Sequence, residues 1–304
     1  MRRAGLVVNP AKFHDLRRLR TDVDAVFRSN GWAPPLWLET TIEDPGQGQA
    51  RAALDEGVDL ICPLGGDGTV RQVATAVRSS TTPMGLVPAG TGNLLARNLG
   101  LPVNRRYADA VRRAIHGTDR RIDVGVLQLD RTGDGRTIEE HVFLVMCGMG
   151  LEAEMLGGTP ESLKARLGWV AYVLSGARHL RRPTVEMQLY TDGEGADPAP
   201  TTTVLIGNCG RLTGGVRLMP RALPDDGLLD AVVLSAGSLP QWGRLVVQVL
   251  RGGEGGSQVR HRPGREFDVT AVAPRTVQVD GDLIGEGRAM RVTVEPRSLV
   301  LRVP

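Results

Sequence analysis

At 304 residues the chain passes the size at which single hydrophobic cores stop growing, about 250–300 residues, so two domains are expected. Hydrophobic residues at 41% and charged residues at 23% fit a globular protein, and 39 glycines favour an α/β enzyme with backbone-lined sites over a helical bundle. A net charge of only +3 does not establish a nucleic-acid partner without a clustered basic face, and aromatics at 4% argue against a single-strand stacking platform, so none is expected.

The three cysteines, Cys62, Cys147 and Cys209, are odd in number and lie beside apolar runs without metal-ligand spacing. They read as reduced, buried thiols of a cytoplasmic protein. The apolar run at residues 6–8 behind Arg2 and Arg3 is too short for a signal peptide, and no stretch approaches the roughly 20 apolar residues that span a bilayer. A cytoplasmic location is expected, with any membrane contact peripheral and at the inner face.

In chain order, residues 5–8 read as a strand. Leu16, Leu19, Val23, Val26 and Phe27 then recur at helical spacing until Asn30-Gly31 supplies a stop. Residues 36–39 read as a second strand, 47–56 as a short helix and 58–64 as a buried third strand. Val70, Val73, Ala74 and Val77 line one face of the next helix, and 84–87 is a fourth strand. This alternation implies a parallel sheet with helices on both faces, whose ligands bind at the carboxyl ends of the strands.

From about Ile122 the pattern changes to strands separated by turn-rich links, at 124–129, 141–147, 185–190, 203–206, 229–234, 266–272, 276–279, 291–294 and 299–303. Residues 131–136, 191–200 and 251–257 have loop composition, and helices are expected over 161–180 and 239–250. The reading is an α/β domain over 1–121, with about 295–304 available to complete it, and a mainly β domain over 122–294. The active cleft is expected between them.

The strand at 58–64 runs into Gly65-Gly66-Asp67-Gly68-Thr69, after which a helix begins. Glycines let the backbone approach phosphate oxygens, the Thr hydroxyl can bond one, and the helix N-terminus adds exposed N–H donors. Phosphate would repel Asp67 unless the carboxylate binds a cation, for which Mg²⁺ is the natural mediator, or handles a proton. A tight turn with Asp67 as helix cap is the plainer alternative for those five residues alone. A second loop of the same design, Pro88-Ala89-Gly90-Thr91-Gly92-Asn93, follows within thirty residues.

With Val8-Asn9-Pro10, Ile206-Gly207-Asn208, Asp225-Asp226-Gly227-Leu228-Leu229-Asp230 and Val279-Asp280-Gly281-Asp282, these loops resemble the diacylglycerol kinase catalytic-domain family, which includes bacterial lipid kinases and the sphingosine and ceramide kinases. The resemblance runs in order over nearly the whole chain. It implies a fold like that of NAD kinases and phosphofructokinases, with the nucleotide on the first domain and the lipid and a structural metal on the second. It further implies that Asn9, Thr40, Gly65, Gly66, Asp67, Gly68, Thr69, Val70, Arg71, Gly90, Thr91, Gly92 and Asn93 contact ATP, with Thr41 an alternative to Thr40. A structural Mg²⁺ is implied on the Asp226 side chain and the carbonyls of Leu223 and Leu228.

In similar kinases the proposed base is the carboxylate of a C-terminal Asp-Gly-Glu. Here that position is Asp282, one methylene and about 1.5 Å shorter. Asp67 is the other candidate for the base, or the ligand of a catalytic Mg²⁺. The first loop also departs from the family, reading Asn9-Pro10-Ala11-Lys12 where a Ser-Gly loop is usual, and Lys12 offers a point charge for phosphate.

The expected reaction is ATP- and Mg²⁺-dependent phosphorylation of a lipid hydroxyl, with diacylglycerol the default and a sphingoid base the other acceptor. A non-catalytic lipid- or nucleotide-binding regulator and a soluble-metabolite kinase of NAD kinase type are the competing readings. The helix at 163–174 with its basic end at 178–182, and the pairs Arg105-Arg106, Arg112-Arg113 and Arg120-Arg121, are compatible with an anionic membrane surface, but each taken singly reads first as a packed helix or a solvated face. A homodimer is left open.

Overall fold

A computed structural model describes residues 1–104, 106–150, 187–195, 203–212, 217–234 and 259–304. The helices expected over 161–180 and 239–250, the basic end at 178–182, Arg105 and the loop over 251–257 lie outside them. The chain forms two compact units, Met1–Ile122 with Arg297–Pro304, and Asp123–Pro296.

In the first unit β1 (Ala4–Val8) is buried along its whole length, as a central parallel strand must be. Asp15 caps α1 (Leu16–Ser29) by accepting from the Arg18 amide at 2.8 Å, and the helix buries Leu19, Val23, Val26 and Phe27. There follow β2 (Leu36–Glu39), α2 (Gln47–Asp55), β3 (Leu60–Gly65), α3 (Asp67–Val77), β4 (Met84–Gly85), β5 (Val87–Pro88), α4 (Leu94–Asn98) and α5 (Tyr107–His116). β1 pairs in parallel with β2 and β3, and β3 pairs in parallel with β4 and β5. Leu301 and Arg302 add a further parallel strand beside Met84 and Gly85.

Two expectations change here. The single strand at 84–87 is two short pieces, because Ile61 donates to the Pro83 carbonyl but the next donor in that ladder would be Pro63, which has no N–H. Helix α5 was not anticipated. It buries Ala110, Val111, Ala114 and Ile115 against the same core as Leu6, Phe27, Leu60 and Cys62.

The second unit is antiparallel. It takes in β6 (Thr118–Asp130) from Asp123 onward, β7 (Ile138–Phe143), β8 (Met146–Met149), β9 (Met187–Thr191), β10 (Thr203–Gly207), β11 (Leu229–Leu234), β12 (Val259–Gly264), β13 (Glu266–Val279) and β14 (Asp282–Val303) up to Pro296. The sheet order is β12-β11-β10-β8-β13-β14, with β9 on β13 and β6 paired to β7. Leu127, Phe143, Cys147, Ile206, Phe267 and Val277 are at the centre of its core.

Expected strands 266–272 and 276–279 are one strand with a register shift between Thr270 and Arg275, and 291–294 and 299–303 both belong to β14. The unanticipated β12 holds Pro263 at the end of the sheet order, where a residue without an N–H is tolerated. The strand expected at 141–147 breaks between Phe143 and Met146, because the amides of Leu144, Val145 and Met146 all donate to the Asp280 carboxylate. All three cysteines are free and buried. No helix among the described residues is long and apolar enough to cross a membrane.

Candidate functional site

The parallel strands of the first unit end at one edge, and three backbone bonds tie their ends together. Thr40 donates to the Val8 carbonyl at 2.8 Å, Asn9 to that of Leu64 at 3.0 Å, and Ala89 to that of Gly65 at 2.9 Å. Asn9, Thr40, the Gly65 loop and the Gly90 loop are therefore neighbours, as the sequence motifs require.

Gly66 precedes α3 in an extended conformation, and α3 begins at Asp67, so the amides of Asp67, Gly68 and Thr69 form its first turn, which has no intrahelical acceptors. A Cβ on Gly90 would stand 2.7 Å from the Gly66 Cα. The loops thus meet backbone against backbone, a contact open to glycine alone. Asp67 fastens the same junction: its Oδ2 accepts from the Asn93 amide at 2.8 Å and its Oδ1 from the Leu94 amide at 2.6 Å. Asn93, in the left-handed region at φ 47, closes its own loop by accepting from the Gly90 amide at 3.0 Å and donating to the Gly90 carbonyl at 2.7 Å.

Thr69 is 5% exposed, and a Cβ on Gly65 would lie 2.5 Å from the Thr69 Cβ, so the hydroxyl packs on Gly65 and the residue offers this edge its amide. Val70 is buried behind it, Arg71 and Gly92 are half-buried, and Thr91 is exposed. Thr40 is buried. The exposed Thr41 uses its hydroxyl to accept from the Asp44 amide at 3.0 Å. Asn9 caps the short 3-10 turn Pro10–Lys12 through the Ala11 amide. That turn brings the Lys12 Cε to 4.0 Å from where a Gly66 Cβ would be. A small pocket beside the loops is lined by Asp67, Val70, Pro88, Asn93 and Leu95. Glycine backbones, a helix N-terminus and one ammonium group make an anion site suited to phosphate.

The second unit holds the other expected residues. Asp226 accepts from the Leu228 amide at 3.0 Å, and its carboxyl is pushed up by burial and by the charges of Asp123 and Asp225. Asp230 is pushed up by burial and then by Asp226. Asp123 is fully buried, accepts from the Gly227 amide at 2.7 Å through Oδ2, and donates its own amide to the Pro224 carbonyl at 2.7 Å. Asp123 was not anticipated as part of this cluster, whereas Asp230 closes the motif read at 225–230. The signal was available, since a carboxylate inside the apolar run Ile122-Asp123-Val124 needs a reason to be there.

Among the described residues no three acidic, His or Cys side chains converge as a metal centre. The mutual repulsion around Asp226 nevertheless fits a cation held by that carboxylate together with carbonyls of its loop, where Leu223 and Leu228 lie.

Asp282 is exposed and is the first residue of β14, paired with Val279 across a two-residue turn. Asp280 (φ 49) and Gly281 (φ 91) form that turn with the doubly left-handed backbone that Asp-Gly favours.

Residues 3–127 match the diacylglycerol kinase catalytic domain, and residues 146–303 match the YegS C-terminal NAD kinase beta sandwich-like domain. The chain is 31% identical over 256 residues to the protein named "Probable lipid kinase YegS-like" of Klebsiella pneumoniae, covering 83% of this chain and 80% of that one. It is 29% identical over 259 residues to the "Diacylglycerol kinase" of Bacillus subtilis, with the same coverage. In fold it is similar to the crystal structure of a diacylglycerol kinase from Bacillus anthracis, with a TM-score of 0.74 at 22% identity, over 99% of this chain and 97% of that one. Both halves of the chain, and both phosphate-type loops within the first half, therefore point the same way, and the protein belongs to the diacylglycerol kinase catalytic-domain family of lipid kinases.

Proposed function

We propose that the protein transfers the γ-phosphoryl group of ATP to a lipid hydroxyl, with diacylglycerol as the acceptor, and that it works peripherally at a membrane surface. The observation that carries this reading is the junction of the two glycine loops under the Asp67 carboxylate, at the carboxyl edge of the parallel sheet. The names carried by its relatives favour a lipid acceptor.

In this reading the α3 N-terminus, the Gly66 backbone and Lys12 hold the triphosphate by its oxygens, and the Gly90 loop closes over them. Asp282 takes the proton of the acceptor hydroxyl as the new oxygen–phosphorus bond forms and the bond from the γ-phosphorus to the bridging oxygen breaks, releasing ADP. Mg²⁺ bound with the nucleotide would supply the charge that offsets the phosphates. A second Mg²⁺ would be held by Asp226 and the Leu223 and Leu228 carbonyls, where its charge would offset those of Asp123 and Asp225. Asp67 orients the loops through the Asn93 and Leu94 amides, and the base is assigned to Asp282.

Radiolabelled ATP offered with Mg²⁺ and a panel of diacylglycerol, a sphingoid base and NAD tests the proposal. Label on diacylglycerol supports it. Label on NAD, or tight ATP binding with label on no acceptor, refutes it in favour of a metabolite kinase or a regulator respectively.

A further inference from the structure

The break between β7 and β8 is made by one side chain more than a hundred residues away. The Asp280 carboxylate, on a residue 8% exposed, accepts three backbone N–H bonds: from Leu144 at 3.1 Å through Oδ2, and from Val145 at 2.9 Å and Met146 at 3.0 Å through Oδ1. Its own amide donates to the Met146 carbonyl at 2.8 Å.

The carbonyls of the same segment are tied from another side. Asn208 and Cys209 donate their amides to Val145 at 2.9 and 3.2 Å, and the Asn208 Nδ2 donates to the Leu144 carbonyl at 3.3 Å and the Asp123 carbonyl at 2.8 Å. The turn is closed by the buried Gln278, whose Oε1 accepts from the Gly281 amide at 2.8 Å.

We propose that Asp280 is a positioning residue for phosphoryl transfer: it locks the turn that carries Asp282 onto residues 144–146 and so fixes where the Asp282 carboxylate stands. This rests on the proposed kinase reaction and on Asp282 as its base.

A two-residue hairpin needs only the left-handed backbone that Asp-Gly already offers, and an Asp facing water would meet that need. Burying the carboxylate is costly unless its bonds are made, and here it receives three. Asparagine cannot replace it, because its amide nitrogen would face an N–H where an acceptor is required. Rigidity two residues from a proton acceptor is what transfer geometry demands, since a displacement of about 1 Å costs on the order of 10²-fold in rate.

The test is Asp280→Asn in the full chain, with kcat and the KM for ATP measured alongside amide exchange at Leu144, Val145 and Met146. The expected result is a kcat lower by about 10²-fold with KM for ATP within about twofold, and exchange at the three amides faster by about tenfold or more. A kcat within about threefold of wild type while those amides exchange faster overturns the proposal, and so does unchanged exchange. If Asp280→Asn does not fold, Gln278→Ala frees the Gly281 amide from the other side of the turn. It is expected to lower kcat with KM for ATP held, and a wild-type kcat in that variant overturns the proposal. A wild-type protein that phosphorylates no alcohol refutes the kinase reading instead, while the exchange measurement still decides whether Asp280 clamps the segment.

Discussion

Adding a single methyl group at Gly90 probes the loop junction directly. In Gly90→Ala the new Cβ would sit 2.7 Å from the Gly66 Cα, 3.1 Å from the Asn93 Oδ1 and 3.7 Å from the Asp67 nitrogen. Carbon atoms pack at about 3.5–4.0 Å, so the loops must part by about 1 Å. Overpacking of this kind costs about 1–3 kcal/mol of stability. The same parting lengthens the bonds from the Asn93 and Leu94 amides to Asp67 and tilts the first turn of α3 away from bound phosphate. A displacement of about 1 Å in a transfer site lowers the rate on the order of 10²-fold. The assay is steady-state phosphoryl transfer with ATP varied, together with thermal unfolding. Gly195→Ala, whose Cβ meets nothing within 4 Å among the described residues, is the control and should behave as wild type. A Gly90→Ala protein with wild-type kcat, KM and Tm would refute the reasoning, because it would mean the two loops do not depend on their contact.

Three further outcomes follow from the described geometry. Lys12→Met removes the only ammonium group beside Gly66 among the described residues and should raise the KM for ATP several-fold with no loss of stability, as read by transfer kinetics and thermal unfolding. Asp130 is held below its ordinary 3.8 chiefly by the Gly135 amide, with the Gly133 and Thr132 amides and the Thr132 hydroxyl adding to it. Its contribution is therefore fully present above 3.8 and is lost as pH falls below 3.8 through the lowered folded value, so the stability gap between wild type and Asp130→Asn should close over that window in denaturant titrations. Cys62, whose thiol burial pushes up to about 12, should resist iodoacetamide at pH 8 in the native protein and react once it is unfolded, as counted by mass spectrometry.

Much of the first unit was legible because its strands and helices are local patterns. Leu19, Val23, Val26 and Phe27 recur at helical spacing, and the glycine loops fall directly after apolar strands. The α5 signal was equally local, with Ala110, Val111, Ala114 and Ile115 on one face, but the Arg112-Arg113 pair drew the reading toward surface charge. What stayed hidden depends on partners far along the chain. Phe143 to Met146 reads as uninterrupted apolar strand, and only Asp280 folding back onto it breaks the ladder. Thr69 reads as a phosphate ligand through its hydroxyl, whereas the close approach of Gly65 turns that side chain inward. The strand at 259–264 is missing from the expected set, and its Pro263 is accommodated because β12 ends the sheet order.

The most direct test of the central claim is product identification. Wild-type protein is incubated with ATP, Mg²⁺ and vesicles containing diacylglycerol, the lipid products are weighed by mass spectrometry, and Asp282→Asn is run beside it with its ATP affinity measured. The account predicts one phosphorylated diacylglycerol per ADP formed by the wild type, and near-complete loss of product in Asp282→Asn with ATP affinity unchanged. ADP formed without any phosphorylated lipid, or full lipid phosphorylation by Asp282→Asn, would contradict it.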